Sequence, residues 1–179
     1  MDKWTKSLEY ITTQFKNSFQ YLSEEQLNWK PSAKKWSIAQ IVDHLIVINE
    51  TYFPIFDKLE QGAFKPPIHA RFSFFVNPMG DMIYNSIKPE NKKKNKTLPI
   101  WEPTKSNIDK LIIERFEWHQ EQLIQRIQRL KPLLEKGTVI HSPGSKLIVY
   151  SLEKAIDIIV THEQRHFLQA VCISELLPK

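Results

Sequence analysis

Apolar residues recur at spacings of three and four through four separate stretches of this 179-residue chain, a rhythm that commits it to amphipathic helices packed on one another. Trp4, Leu8, Ile11, Phe15, Phe19 and Leu22 set the first stretch and predict a helix over residues 3–22. Ser37, with Gln40 three positions on, signs the start of a second helix, predicted over 38–61 with a kink at Pro54. Its apolar arc is wide (Ile38, Ile41, Val42, Leu45, Ile46 and Ile48), which calls for neighbours on more than one side and a place near the centre of the fold. Ile108, Ile112, Phe116, Leu123, Ile127 and Leu130 predict a third helix over 104–134, stopped by Lys131–Pro132 and then Gly137. Ser151 caps a fourth, predicted over 152–176. With only four glycines to supply turns, the expected fold is all-α: a single domain over residues 1–179, built as a four-helix bundle with a long, partly structured connection between helices two and three.

That connection, residues 62–103, holds Pro66, Pro67, Pro78, Pro89, Pro99 and Pro103. A segment so long is usually functional or poorly ordered. Phe64, Phe72, Phe74, Phe75, Met79, Met82, Ile83 and Tyr84 are too apolar for disorder, so short helical turns are expected, packed over one end of the bundle as a lid. Ser23 to Gln26 has capping-box chemistry and predicts a short turn of helix, with Asn28 to Ser32 as a connector. Residues 138–146 are expected to be loop or a short extended piece.

Charge and cysteine usage narrow the function classes. Part of the net charge of +5 comes from Lys88 and the run Lys92, Lys93, Lys94 and Lys96, with Pro89, Asn91 and Asn95 among them. No aromatic residue interrupts the run as a base-stacking platform requires, so it is a solvated loop and no nucleic-acid partner is expected. Cys172 is the sole cysteine, which rules out an intramolecular disulfide and fits a reducing compartment. The polar start Met1 to Lys6 lacks the apolar region of a signal peptide, and no stretch approaches the roughly 18 apolar residues of a membrane span. The expected address is cytoplasmic, with no membrane partner.

His162 and His166 lie four apart on the predicted last helix, where i and i+4 share a face and both imidazoles can meet one divalent ion. His44, on the second helix, is a third candidate ligand, and three neutral imidazoles with open coordination positions make a catalytic type of zinc or nickel site. Residues 162–166 literally fit the H-E-x-x-H pattern of metallopeptidases. The metzincin extension would place Gly at 169 and His at 172, where this chain has Gln169 and Cys172; Glu175, the downstream carboxylate, is too near on the same helix. A peptidase is therefore set aside. The ordinary alternative, polar histidines on an exposed helix face, conflicts with the stripe Ile159, His162, His166 and Gln169 flanked by Ile156, Val160, Phe167 and Ala170, which turns the pair inward. Buried imidazoles need a metal or a hydrogen-bond network. His69, His119 and His141 are weaker candidates, and His141 is expected at the surface.

Two blocks carry a resemblance: Leu27-Asn28-Trp29-Lys30-Pro31 followed by Lys35-Trp36-Ser37-Ile38-Ala39-Gln40-Ile41-Val42-Asp43-His44-Leu45, and His162-Glu163-Gln164-Arg165-His166-Phe167-Leu168-Gln169. In type, order and separation the chain resembles the DinB-like (YfiT-like) metalloproteins. The resemblance implies an up-down-down-up four-helix bundle in which His44, His162 and His166 bind zinc or nickel, with waters completing the shell. It also implies a small-molecule substrate and, in some members, a low-molecular-weight thiol such as bacillithiol as co-substrate. The activities it brings into range are thiol S-transfer, mycothiol-dependent isomerisation and metal-dependent hydrolysis. Glu163 is a candidate catalytic base or partner of the ligands, one step of about 100° round the helix from His162. Two function classes stand: a metal-dependent transferase or hydrolase, and a non-catalytic metal-stabilised bundle that binds a ligand. The wide apolar arc of helix two also permits a homodimer.

Overall fold

The computed structural model describes residues 3–72, 74, 76, 78–91, 97–103 and 106–178. The lysine run from Lys92 to Lys96, read above as a solvated loop, lies outside them, as do Phe75 and Thr104. The described chain is mostly helical. Its helices are α1 (Lys3–Phe19), α2 (Glu24–Asn28), α3 (Ile38–Glu50), α4 (Phe53–Glu60), α5 (Pro78–Ile87), α6 (Ile112–Arg129), α7 (Lys131–Glu135) and α8 (Leu152–Ser174). Strands β1 (Val139–Ser142) and β2 (Ser145–Ser151) form an antiparallel hairpin, Ile140 opposite Tyr150. No helix among the described residues is long and apolar enough to cross a membrane.

Local chemistry sets these boundaries. Both predicted capping boxes form: Ser23 Oγ accepts from the Gln26 amide while Gln26 reaches back to the Ser23 amide, and Ser37 and Gln40 do the same at α3. The helix predicted over 38–61 is two helices. Pro54 has no N–H to donate to the preceding turn, so the chain turns at Thr51–Tyr52 and restarts with proline in the first turn of α4. Gly62 ends α4 and Gly137 ends α7, each at positive φ in a Schellman arrangement: the amides of Gly62 and Ala63 reach Leu59 and Lys58, and those of Gly137 and Thr138 reach Leu134 and Leu133.

The third predicted helix also starts late, at Ile112 instead of 104. The Asn28 side chain holds both backbone groups of Ile108, Nδ2 donating to its carbonyl at 2.7 Å and Oδ1 accepting from its amide at 2.9 Å, which draws that segment out of helical bonding. The 62–103 connection carries short helical turns as expected: 3-10 turns at Ile68–Arg71 and Pro99–Trp101, with α5 between them. Of the two expectations for residues 138–146, loop or a short extended piece, the extended one holds, and its strands pair as a hairpin. His141 lies on β1 and is half-buried, with its ring against Phe64.

Helix α1 packs on α6 and α8, and α3 packs on the same two; α5 lies against α8 and β2. Phe15 is central to the aromatic part of the core: fully buried, its ring sits 4.8 Å from Phe116 and 5.2 Å from Phe167. Each such buried ring contributes on the order of 1.5–3 kcal/mol by leaving water. Trp4 Nε1 donates to Asp157 at 2.7 Å, pinning α1 to α8. Gly80 is required where α5 meets β2, since a Cβ there would come within 2.8 Å of the Tyr150 side chain.

His119, on α6, is buried rather than solvated, stacked on Phe53 with both ring nitrogens unpartnered. Burial, aided by the Arg126 charge, pushes its pKa down to about 4. Because the folded pKa lies below the ordinary value of about 6.5, the unfolded chain takes up the proton first, and stability is lost as pH falls from about 6.5 towards 4. Replacing His119 with Leu should remove up to about 1.4 kcal/mol per pH unit of that slope, read from urea unfolding at pH 7, 5.5 and 4.5. An unchanged slope would contradict the assignment.

Candidate metal centre

Three histidines meet where α3 and α8 face each other. His44 projects from α3; His162 and His166, one turn apart, project from α8. Their Nε2 atoms converge, His44 to His162 at 3.5 Å and His166 to His162 at 3.0 Å. One nitrogen from each of the three rings lies within 4.8 Å of the others. Imidazole nitrogens roughly 2.0–2.1 Å from a tetrahedral ion stand about 3.3–3.4 Å apart, so the observed spacings fit a single divalent cation. The cluster is compatible with a metal site.

The protonation states fit as well. His44 Nδ1 lies 2.5 Å from the Trp101 carbonyl, which can only accept, so that nitrogen carries the proton and Nε2 presents its lone pair to the cluster. Burial lowers the pKa of all three: His162 to about 3, with the His44 and Arg165 charges adding to the effect, His166 well below its ordinary value, and His44 to a lesser extent against the opposing pull of the Trp101 carbonyl. At neutral pH the rings are uncharged, which is the state that ligates.

Two tryptophans hold the cluster, one by its ring and one by its backbone carbonyl. Trp36, in the turn leading into α3, lies 4.9 Å from the His44 ring and stacks on His166 at 6.3 Å. Trp101 supplies the carbonyl from the long connection, and its indole packs on the hairpin turn, where a Cβ at Gly144 would meet it at 2.7 Å. The segment that seemed from the sequence to be a lid thus takes a direct part in holding His44.

Glu163 points the other way. It is fully buried among α3, α6 and α8, where its Oε1 accepts from Asn49 Nδ2 and from Gln120 Nε2, both at 2.7 Å. Burial drives its pKa up to about 7, against the two amides, which favour the charged form. It does not line the cavity into which the histidines open, so its visible work is to lock the rotation of α8 relative to α3 and α6.

That cavity has a volume of about 1200 Å³. Its wall carries Lys34, Lys35 and Arg165 and, among the described residues, no aspartate or glutamate. Arg165 Nη1 donates to the carbonyls of Ser86, Lys88 and Asn91, which ties the end of α5 and the chain beyond it to α8 beside the histidines. His69, His119 and His141 do not line the cavity. Sequence reasoning picked out the three histidines but missed Trp101, Asn49 and Gln120. The Trp36-Ser37 pair before a capped helix was visible, whereas nothing local to Trp101, Asn49 or Gln120 marks a contact made across the fold.

The family model of the DinB superfamily matches residues 8–170. The chain belongs to that superfamily. It is also 28% identical to the uncharacterized protein YuaE of Bacillus subtilis (strain 168) over 164 residues, 91% of this chain and 92% of that protein. No solved structure matches.

The buried carboxylate makes a quantitative prediction. Glu163→Ala strands the amides of Asn49 and Gln120 without an acceptor, and each stranded group costs about 1–3 kcal/mol. Chemical unfolding of the variant should therefore show a loss of roughly 2–6 kcal/mol; a loss under about 1 kcal/mol would mean that Glu163 does not brace the helices.

Proposed function

We propose that this member of the DinB superfamily is a metal-dependent enzyme acting on a small molecule, either transferring a low-molecular-weight thiol to an electrophile or hydrolysing an ester or amide. His44, His162 and His166 hold a divalent cation, zinc or nickel, in an up-down-down-up four-helix bundle. The observation that carries this reading is the convergence of three uncharged imidazole nitrogens on the wall of a large cavity. A structural ion is usually enclosed by four protein ligands, whereas three ligands beside open space leave room for a substrate.

Bound there, a divalent cation supplies Lewis-acid polarisation of a water or a thiol, bringing its deprotonation close to neutral pH. The protein residues do the rest. Trp101, through its carbonyl, fixes the His44 tautomer. Glu163, held by Asn49 and Gln120, keeps α8 turned so that both of its histidines face His44. Lys34, Lys35 and Arg165 give the cavity a positive potential that favours an anionic or readily deprotonated reactant. Trp36, Trp101 and the isoleucines along the wall exclude water from the reacting groups.

The competing class is a non-catalytic bundle stabilised by its metal. Two measurements on one pair of proteins separate them. Metal content after equilibration with zinc, nickel or cobalt should be about one equivalent in the wild type and fall at least tenfold in His44→Ala, while circular dichroism and unfolding midpoint of the metal-free proteins stay close. Undiminished uptake by the variant would remove His44 from the site. Collapse of the metal-free fold alone would favour the structural class. Thiol transfer or ester hydrolysis that appears on loading the wild type and is absent from His44→Ala would favour the enzyme.

A further inference from the structure

The cavity has a second polar pole. Tyr52 and Tyr150 bring their hydroxyls within 2.9 Å of each other, and Ser142 hydrogen-bonds to Tyr150. All three side chains are buried, and all three line the cavity that the histidines enter. Three hydroxyls carry three protons, and the two bonds within the group use two of them; the Gly144 amide donates to Ser142 Oγ, which leaves one O–H and lone pairs of the phenols for a ligand. Buried hydroxyls that serve packing alone are costly, and phenylalanine would fill the tyrosine positions without that cost. Burial raises both phenols above their ordinary pKa, Tyr52 the more strongly, so both stay protonated and able to donate.

The geometry of the wall relates this pole to the first. His44, Ile48 and Tyr52 follow one another at i, i+4 and i+8 and all line the cavity. Six residues of α3 at 1.5 Å rise and the two-residue turn that follows place the backbone of Tyr52 about 12 Å from that of His44. Ile158 and Ile159, between Tyr150 and His162 in the sequence, line the cavity too, as do Ile83 and Ile148. The stretch between the poles is thus mainly apolar. Charge is distributed unevenly along it. Lys34 and Lys35 precede α3, and Arg165 adjoins His166, so all three cations of the wall belong to the histidine end, whereas the tyrosine end carries only neutral groups.

We propose that Tyr52, Tyr150 and Ser142 form a distal recognition site for the substrate of this cavity. The substrate class is an elongated, mainly apolar molecule with a thiol or anionic head at the histidines and, about 12 Å away, an uncharged hydroxyl or carbonyl oxygen at the tyrosines. The head assignment rests on the metal reading above; the tail assignment rests on the hydroxyl group alone. Tyr52 is then a specificity residue, and a tail lacking the oxygen leaves its buried polar groups without a ligand partner.

The test uses two matched probe series, ω-mercapto-1-alkanols and n-alkanethiols of six to eleven carbons. Affinity is read from the fluorescence of Trp36 and Trp101, which line the cavity, in cobalt-free and cobalt-loaded protein. At one chain length the hydroxyl-terminated probe should bind about tenfold more tightly than its methyl-terminated match. Tyr52→Phe and Tyr150→Phe should each reduce that preference below twofold while leaving alkanethiol affinity and cobalt uptake unchanged; Tyr52→Phe suffices where the other variant folds poorly. No preference in the wild type, a preference that survives both substitutions, or no binding at any length would each overturn the proposal. Failure to take up cobalt would refute the histidine reading instead, and the cobalt-free titrations would still decide the tyrosine site.

Discussion

Three uncharged imidazoles whose lone pairs face one another inside a protein cannot satisfy each other. At 3.0 and 3.5 Å between ring nitrogens, one proton can bridge a pair, but the third ring remains an acceptor aimed at acceptors. Burial prevents the alternative of charging the rings, because it holds their pKa values below the ordinary range. On the proposed reading a divalent cation is the partner that removes this frustration, and the rest of the fold can be understood as what keeps the rings in place until it arrives.

Two devices do this. One is a buried polar knot: a single carboxylate oxygen of Glu163 receives amides from Asn49 on α3 and Gln120 on α6, so three helices share one register. The other is the long connection between α4 and α6, which presents the Trp101 carbonyl to His44 and is itself tied to α8 through Arg165. Arg165 thus serves twice, adding positive charge to the cavity wall and bracing the connection against α8. The surface ion pairs, such as Lys16 with Glu117, are exposed and add little by comparison.

How much of this could be read in advance depends on whether a signal is local. The capped starts of α2, α3 and α8, and the histidine pair on one face of α8, rest on neighbours three or four residues away and are plain in the sequence. The neighbours Ile41 and Leu45 place His44 on a packed face of its helix, which is also a local signal. Pro54 marks the break at Thr51–Tyr52 but fits a kink equally well, because a proline alone does not say whether tertiary packing will carry the helix past it. The late start of α6 was hidden, since its cause is Asn28, eighty residues upstream. An extended piece within 138–146 is legible, but its pairing into a hairpin that runs on to Ser151 is not: the strands are short, and Gly144 matters only because an indole from another segment presses on it. Glu163 showed the limit most clearly. Its place beside His162 suggested chemistry at the ion, whereas the step of about 100° round the helix carries it into the core behind the rings.

X-ray absorption spectroscopy on protein loaded with one equivalent of zinc or nickel tests the central claim most directly. Three imidazole nitrogens at about 2.0–2.1 Å, with lighter scatterers completing the shell, is the predicted result. A first shell without imidazole, or one that keeps three imidazoles when His44 is replaced by alanine, would contradict it.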